Sequence, residues 1–147
     1  LPYNIGYEEH YKSAINMFKD HPLFGIGTNT FRFQSQKPKY YSTITDINSH
    51  PHSIYLQVLA EKGIFGILFL ITFFIYLSYF ILKQLSIIMN LNKSRQIPFD
   101  QFLFIILIFI YWWPFIPQMS LYNNWNNVLI MLPFGFFMRV LYGKKNS

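Results

Sequence analysis

The segment Ser49-His50-Pro51-His52-Ser53 sets two imidazoles two residues apart, shortly before a long apolar run that begins at Ile64. Histidine is the side chain whose ordinary pKa lets it exchange a proton near neutral pH, so this pair suits general acid–base chemistry. Pro51 biases His50 toward extended backbone and is itself favoured at the first position of a helix. Together these predict a short helix over 51–62, with His50 at its cap and His52 in its first turn. Unpaired N–H groups in a first turn carry a partial positive charge, which favours a neutral, proton-accepting imidazole and also suits a phosphate. The alternative is that both histidines only cap and pack the helix. A His-x-His pair can supply two zinc ligands, but a third is needed. The chain has no cysteine, and the nearest carboxylates are Asp46 and Glu61. Side chains at i and i+2 of a helix also diverge, so no metal site is expected.

Three further groups carry chemistry. Gln57 and Glu61 stand i, i+4 on the predicted helix, where they face one way. Arg32, Lys37 and Lys39 form a basic run interleaved with Phe31, Phe33, Tyr40 and Tyr41. A guanidinium fork suits phosphate, and aromatic faces stack on sugar rings; a solvated or headgroup-facing loop is the competing reading. The stretch Ser120-Leu121-Tyr122-Asn123-Asn124-Trp125-Asn126-Asn127 is rich in amides, which bind sugar hydroxyls or cap helix ends. Asn92-Lys93-Ser94 matches a glycosylation sequon.

These residues sit in a chain of 147 residues that is 52% hydrophobic, 21% aromatic and only 12% charged. A soluble domain carries about twice that charge fraction. The apolar residues are also clustered in runs, and the fold class expected is an all-α integral membrane protein. A helical loop region over 1–63 precedes about three transmembrane helices. In the loop region, Tyr7, Tyr11, Ala14, Ile15 and Phe18 recur at helical spacing, predicting a helix over 7–19 that stops near His21-Pro22. Leu23-Phe24-Gly25-Ile26-Gly27-Thr28-Asn29 reads as a glycine-punctuated turn, and 34–50 as a long loop. The run 64–82 holds no charge and, at 1.5 Å per residue, spans about 28 Å, close to the hydrocarbon thickness. The expected organisation is a span over 64–84, a loop over 85–101, a second span over 102–121 with Pro114 and Pro117 near its end, a turn over 122–127, a third spanning or re-entrant helix over 128–142, and a tail over 143–147. Lys83, Lys93 and Arg95, then Arg139, Lys144 and Lys145, place both polar ends of this set on the cytoplasmic side. Residues 1–63 and 118–127 then face the opposite side. The net charge of +6 is read as topology signals and contacts to anionic lipid, and no nucleic-acid partner is expected. The chain opens at Leu1-Pro2-Tyr3 without an initiator Met or signal peptide and is expected to be the C-terminal part of a longer protein.

Two motifs, in order, carry a resemblance. His21-Pro22-Leu23-Phe24-Gly25-Ile26-Gly27 with Phe31-Arg32 resembles the "hPlfGvG…F" segment of bacterial O-antigen ligases and related O-antigen polymerases. Ser49 through Gly63 resembles their "HpHN-x-yLq-x-lae-x-G" segment, with Ser53 where Asn is usual. The resemblance implies a multi-spanning enzyme of the bacterial inner membrane, with residues 1–63 periplasmic. It would transfer a glycan from undecaprenyl diphosphate to a sugar hydroxyl, either on lipid A-core (ligase) or on a second lipid-linked glycan (polymerase). A non-catalytic component of glycan export is the alternative outside that class. The family histidine maps onto His52, with His50 beside it; Arg32, Lys37, Lys39, Gln57 and Glu61 are the expected substrate- and diphosphate-binding residues. An arginine expected near the start of the loop is absent, and His10 and Lys12 occupy that region. No cofactor is implied.

Overall fold

A computed structural model describes residues 5–40, 49–89 and 98–143. Within them are five helices and no strand: α1 (Ile5–Asp20), α2 (Phe31–Gln34), α3 (Ile54–Met89), α4 (Phe99–Tyr111) and α5 (Asn124–Gly143). Asp46, Tyr41, the Asn92 sequon, Lys93, Arg95, Lys144 and Lys145 lie outside the described residues. The chain divides into two compact units. One comprises Leu1–Ile71 with Pro114–Asn123, the other Thr72–Trp113 with Asn124–Ser147.

In the first unit, α1 ends at Asp20, before Pro22, as proline requires. Its buried stripe is His10, Ser13, Ala14 and Met17, at i, i+3, i+4 and i+7. The expected face differs: Ile15 is exposed and Phe18 and Tyr11 are half-buried. Ala14 and Met17 pack in a core with Phe31, Tyr40 and Ala60, edged by Ile26 and Leu56. Two polar ties close this core. The Ser13 hydroxyl donates to the Tyr40 carbonyl, and the Tyr40 hydroxyl donates to Asp20 Oδ2 at 2.7 Å. Burial and that carboxylate push the Tyr40 phenol up to about 12.

The two motifs of the sequence meet at a break in α3. Gly63 has φ 65° and ψ −155°, a conformation outside the helical region that glycine adopts readily. The break frees the carbonyls of Ala60 and Glu61 and the N–H of Ile64 from helical pairing. The glycine turn takes all three. Ile26 N–H donates to the Ala60 carbonyl at 2.9 Å, Gly27 N–H to the Glu61 carbonyl at 3.1 Å, and Ile64 N–H to the Pro22 carbonyl at 2.8 Å. Gly25, at φ 68°, lies so close to the Ala60–Lys62 backbone that a Cβ there would collide with it. Buried main-chain polar groups are thereby satisfied across the break.

Beyond the break, α3 continues unbroken to Met89, longer than the expected 64–84. It is the helix in the described residues long and apolar enough to cross a membrane, with a mean hydropathy of 2.4 over its best stretch. In the second unit the later part of α3 meets aromatic residues near the end of α4. Phe74 stacks on Phe109 at 5.1 Å and meets Trp113 edge-on, and Phe73 meets Trp112 edge-on at 5.8 Å. α4 and α5 are joined by the parallel rings of Phe104 and Phe136, 6.0 Å apart. α4 stops at Tyr111, ahead of Pro114, while α5 carries Pro133 within it.

Candidate functional site

The histidine segment lies against three elements of the first unit. α3 begins at Ile54, so the expected placement of His52 inside a first turn is corrected. Ser53 serves as the cap: its hydroxyl accepts from Leu56 N–H at 3.4 Å and its carbonyl accepts from Gln57 N–H at 2.9 Å. A serine hydroxyl satisfies first-turn donors, which proline and histidine at 51 and 52 do less well, and this moves the helix start downstream. His52 instead adopts the left-handed region, with φ 53°. That conformation is uncommon for a residue with a Cβ, though histidine enters it more readily than most. The His52 carbonyl is held by Gln118 N–H at 3.0 Å.

This backbone turns the imidazoles toward each other. The His50 and His52 rings lie 4.3 Å apart, and the His52 and His10 rings 5.8 Å apart. The expected divergence of the two rings is thus also corrected, since it assumed helical geometry at both positions. His10 comes from the buried stripe of α1; the sequence marks it only as standing where an arginine is expected. His52 lines a cleft of about 260 Å³ with Tyr11, Ser53, Leu56 and the prolines and apolar side chains of 114–117. The described residues hold no group of three or more His, Asp or Glu arranged to bind a metal ion.

Burial is the main force lowering the His50 pKa, and the charges of His52 and His10 act in the same direction. Its Nδ1 lies 2.9 Å from the Ser49 hydroxyl, and its Nε2 is buried with no hydrogen-bond partner. A depressed histidine pKa means that the unfolded chain binds the proton more tightly. The stability from a neutral His50 is therefore complete above about pH 6.5 and is lost as pH falls through the lower folded value. Thermal unfolding of the detergent-solubilised protein between pH 7.5 and 5 (roughly the range histidine titration covers) is expected to show a falling midpoint, and His50→Gln is expected to flatten that slope.

The other expected site residues are distributed as follows. Gln57 is buried, and both ends of its amide are engaged: Nε2 donates to Ser120 Oγ at 3.0 Å, and Oε1 accepts from Leu121 N–H at 3.1 Å. Glu61 is 1% exposed, and its Oε1 accepts from Phe31 N–H at 2.9 Å. Tyr122 faces the same carboxyl, and burial together with Glu61 pushes its phenol up to about 12. Gln57 and Glu61 thus fasten 120–122 and the start of α2 onto α3. Arg32 is exposed on α2, its guanidinium 4.6 Å over the Phe33 ring. Lys37 is exposed, and Lys39 pairs with Asp20 at 2.7 Å. No described hydrogen bond, ion pair or ring contact joins these three cations to the histidines. Sequence reasoning missed the return of 114–123 to this site. The signal was present in Gln57, a polar residue that needs a partner if its face is buried.

Residues 4–71 match the sequence model of the family described as O-antigen ligase. No curated protein and no solved structure matches the chain significantly. The matched stretch contains the glycine turn, the break at Gly63 that receives it, and the histidine segment. Over these residues, a little under half of the chain, the protein is similar to the O-antigen ligase family, whose members are membrane glycosyltransferase-like enzymes.

Proposed function

We propose that the protein is an inner-membrane glycosyltransferase of the ligase type, transferring a glycan from undecaprenyl diphosphate to a sugar hydroxyl of lipid A-core on the periplasmic side. The observation that carries this reading is His52, set in an uncommon backbone conformation at a cleft beside two further imidazoles. In the reaction, the acceptor hydroxyl gives its proton to the His52 ring as its oxygen attacks the anomeric carbon. The bond from that carbon to the diphosphate breaks, and the diphosphate departs with the electron pair and the anomeric centre inverted. Diphosphate is a good leaving group, so the protein must chiefly position reactants and screen charge. Arg32 and Lys37, whose charges are exposed, are the cations assigned to the diphosphate. Lys39 would first have to leave Asp20. Gln57 and Glu61 act by fastening 120–122 and the start of α2 onto α3.

Three spans, drawn from α3 beyond Gly63, α4 and α5, complete the topology, with the second ending before Pro114 and not at 121. The bond between His52 and Gln118 supports it, because the scheme puts 1–63 and 118–127 on the same face.

A chromosomal deletion complemented with the full-length protein tests the reaction. A ligase deletion is expected to leave lipid-linked polymer accumulating and lipid A-core bare. Single repeat units on the core would identify a polymerase instead. Unchanged surface glycan with His52→Ala, alongside loss on deleting the loop, would indicate a non-catalytic export component.

A further inference from the structure

The glycine turn does more than dock on α3: it carries two large apolar side chains outward. Leu23 is 56% exposed and Phe24 74% exposed. They are not on a slack loop. The main-chain bonds at Pro22, Ile26 and Gly27, and the close approach of Gly25 to the α3 backbone, fix the turn on both sides of them. Phe24 stacks on Phe65 with ring centroids 5.4 Å apart and planes inclined by 26°. Phe65 is itself exposed and is the second residue of the uncharged run that starts at Ile64; Phe69, one turn on, is 76% exposed. The patch is thus continuous with the outer face of the apolar part of α3. Its other border is polar, since exposed Lys62 reaches Thr28 with its ammonium group. Apolar rings below a cation is the order found from the hydrocarbon edge to the headgroups.

We propose that Leu23 and Phe24 form a wedge that inserts into the bilayer surface beside the first turn of the α3 span. Their occupant is lipid, with Lys62 at the level of anionic headgroups. A contiguous apolar patch with a polar rim marks an interaction surface, and continuity with the span selects the bilayer. A wedge fixed to the break at Gly63 would hold the loop, and the cleft it carries, at a set height above the membrane. The inference rests on reading α3 beyond Gly63 as a span.

The chain has no cysteine, so single nitroxide labels can be introduced by Phe24→Cys, Leu23→Cys, Phe69→Cys and Gln36→Cys. The full-length protein is placed in vesicles of phosphatidylethanolamine and phosphatidylglycerol. Accessibility to oxygen, which partitions into lipid, is compared with that to a water-soluble nickel chelate. Labels at 23 and 24 are expected to shift away from the aqueous ratio at 36 toward the lipid ratio at 69. An aqueous ratio at 23 and 24, with 69 in lipid, overturns the wedge and leaves the span intact. Immobilised labels shielded from both reagents would mean that protein covers the patch, which also overturns it. An aqueous ratio at 69 would overturn the span and the wedge together.

Discussion

Gly63→Ala is expected to destabilise the protein by roughly 3 kcal/mol or more, a large fraction of the about 5–15 kcal/mol that holds an ordinary fold together. Two costs combine. At φ 65° and ψ −155° an alanine occupies a region open in practice to glycine alone, costing about 1–3 kcal/mol. Its Cβ would also collide with the carbonyls of Leu23 and Pro22, which are backbone and cannot swing aside. Relief would require the glycine turn to lift, releasing the bonds to Ala60, Glu61 and Ile64 together. Two other glycines calibrate the effect. Gly27, at φ 103°, would meet only the Thr30 side chain at 3.5 Å, so Gly27→Ala should show the strain without the collision. Gly135 lies in α5 with open space around it, so Gly135→Ala should be neutral to slightly stabilising, as alanine favours helix over glycine. Thermal unfolding in detergent should rank them Gly63, then Gly27, then Gly135. Equal midpoints for all three would show that the break is not held by the turn.

The same junction shows what was legible in the sequence. Gly63 marked the start of the apolar run, and Gly25 and Gly27 marked a turn, because glycine punctuates local backbone. Their docking was not legible. It depends on hydrogen-bonding groups released by one break and taken up by another segment, and no local pattern encodes that pairing. The start of α3 was misplaced for a related reason. Pro51 is a good first residue of a helix, but Ser53 is a better cap, and the cap decided the boundary. The stripe expected for α1, Tyr7, Tyr11, Ala14, Ile15 and Phe18, shares Ala14 with the buried line, which otherwise runs through His10, Ser13 and Met17. Small residues let α1 approach the core closely, and they carry His10 in with them. Arg32, Lys37 and Lys39 lie on and just after α2, a helix of four residues, too short to show a helical period.

The second large effect is expected at His52. Removing a positioned general base typically slows a reaction by about 10²–10⁴-fold. The backbone complicates a simple alanine change, because His52 sits at φ 53°, where alanine is strained. Asparagine tolerates that conformation and cannot serve as the base, so His52→Asn separates the imidazole from the turn it occupies. Both variants should lose activity, and His52→Asn should keep the thermal midpoint nearer the wild type. His50→Gln should cost far less, since its ring is half-buried and spends one nitrogen on Ser49.

The most direct test is glycan transfer by purified full-length protein, from an undecaprenyl-diphosphate-linked donor to a lipid A-core acceptor, with wild type and His52→Asn compared at equal folded concentration. The account predicts a rate lowered about 10²-fold or more in the variant, with the fold intact. Transfer at the wild-type rate would contradict the assignment of His52 as the base.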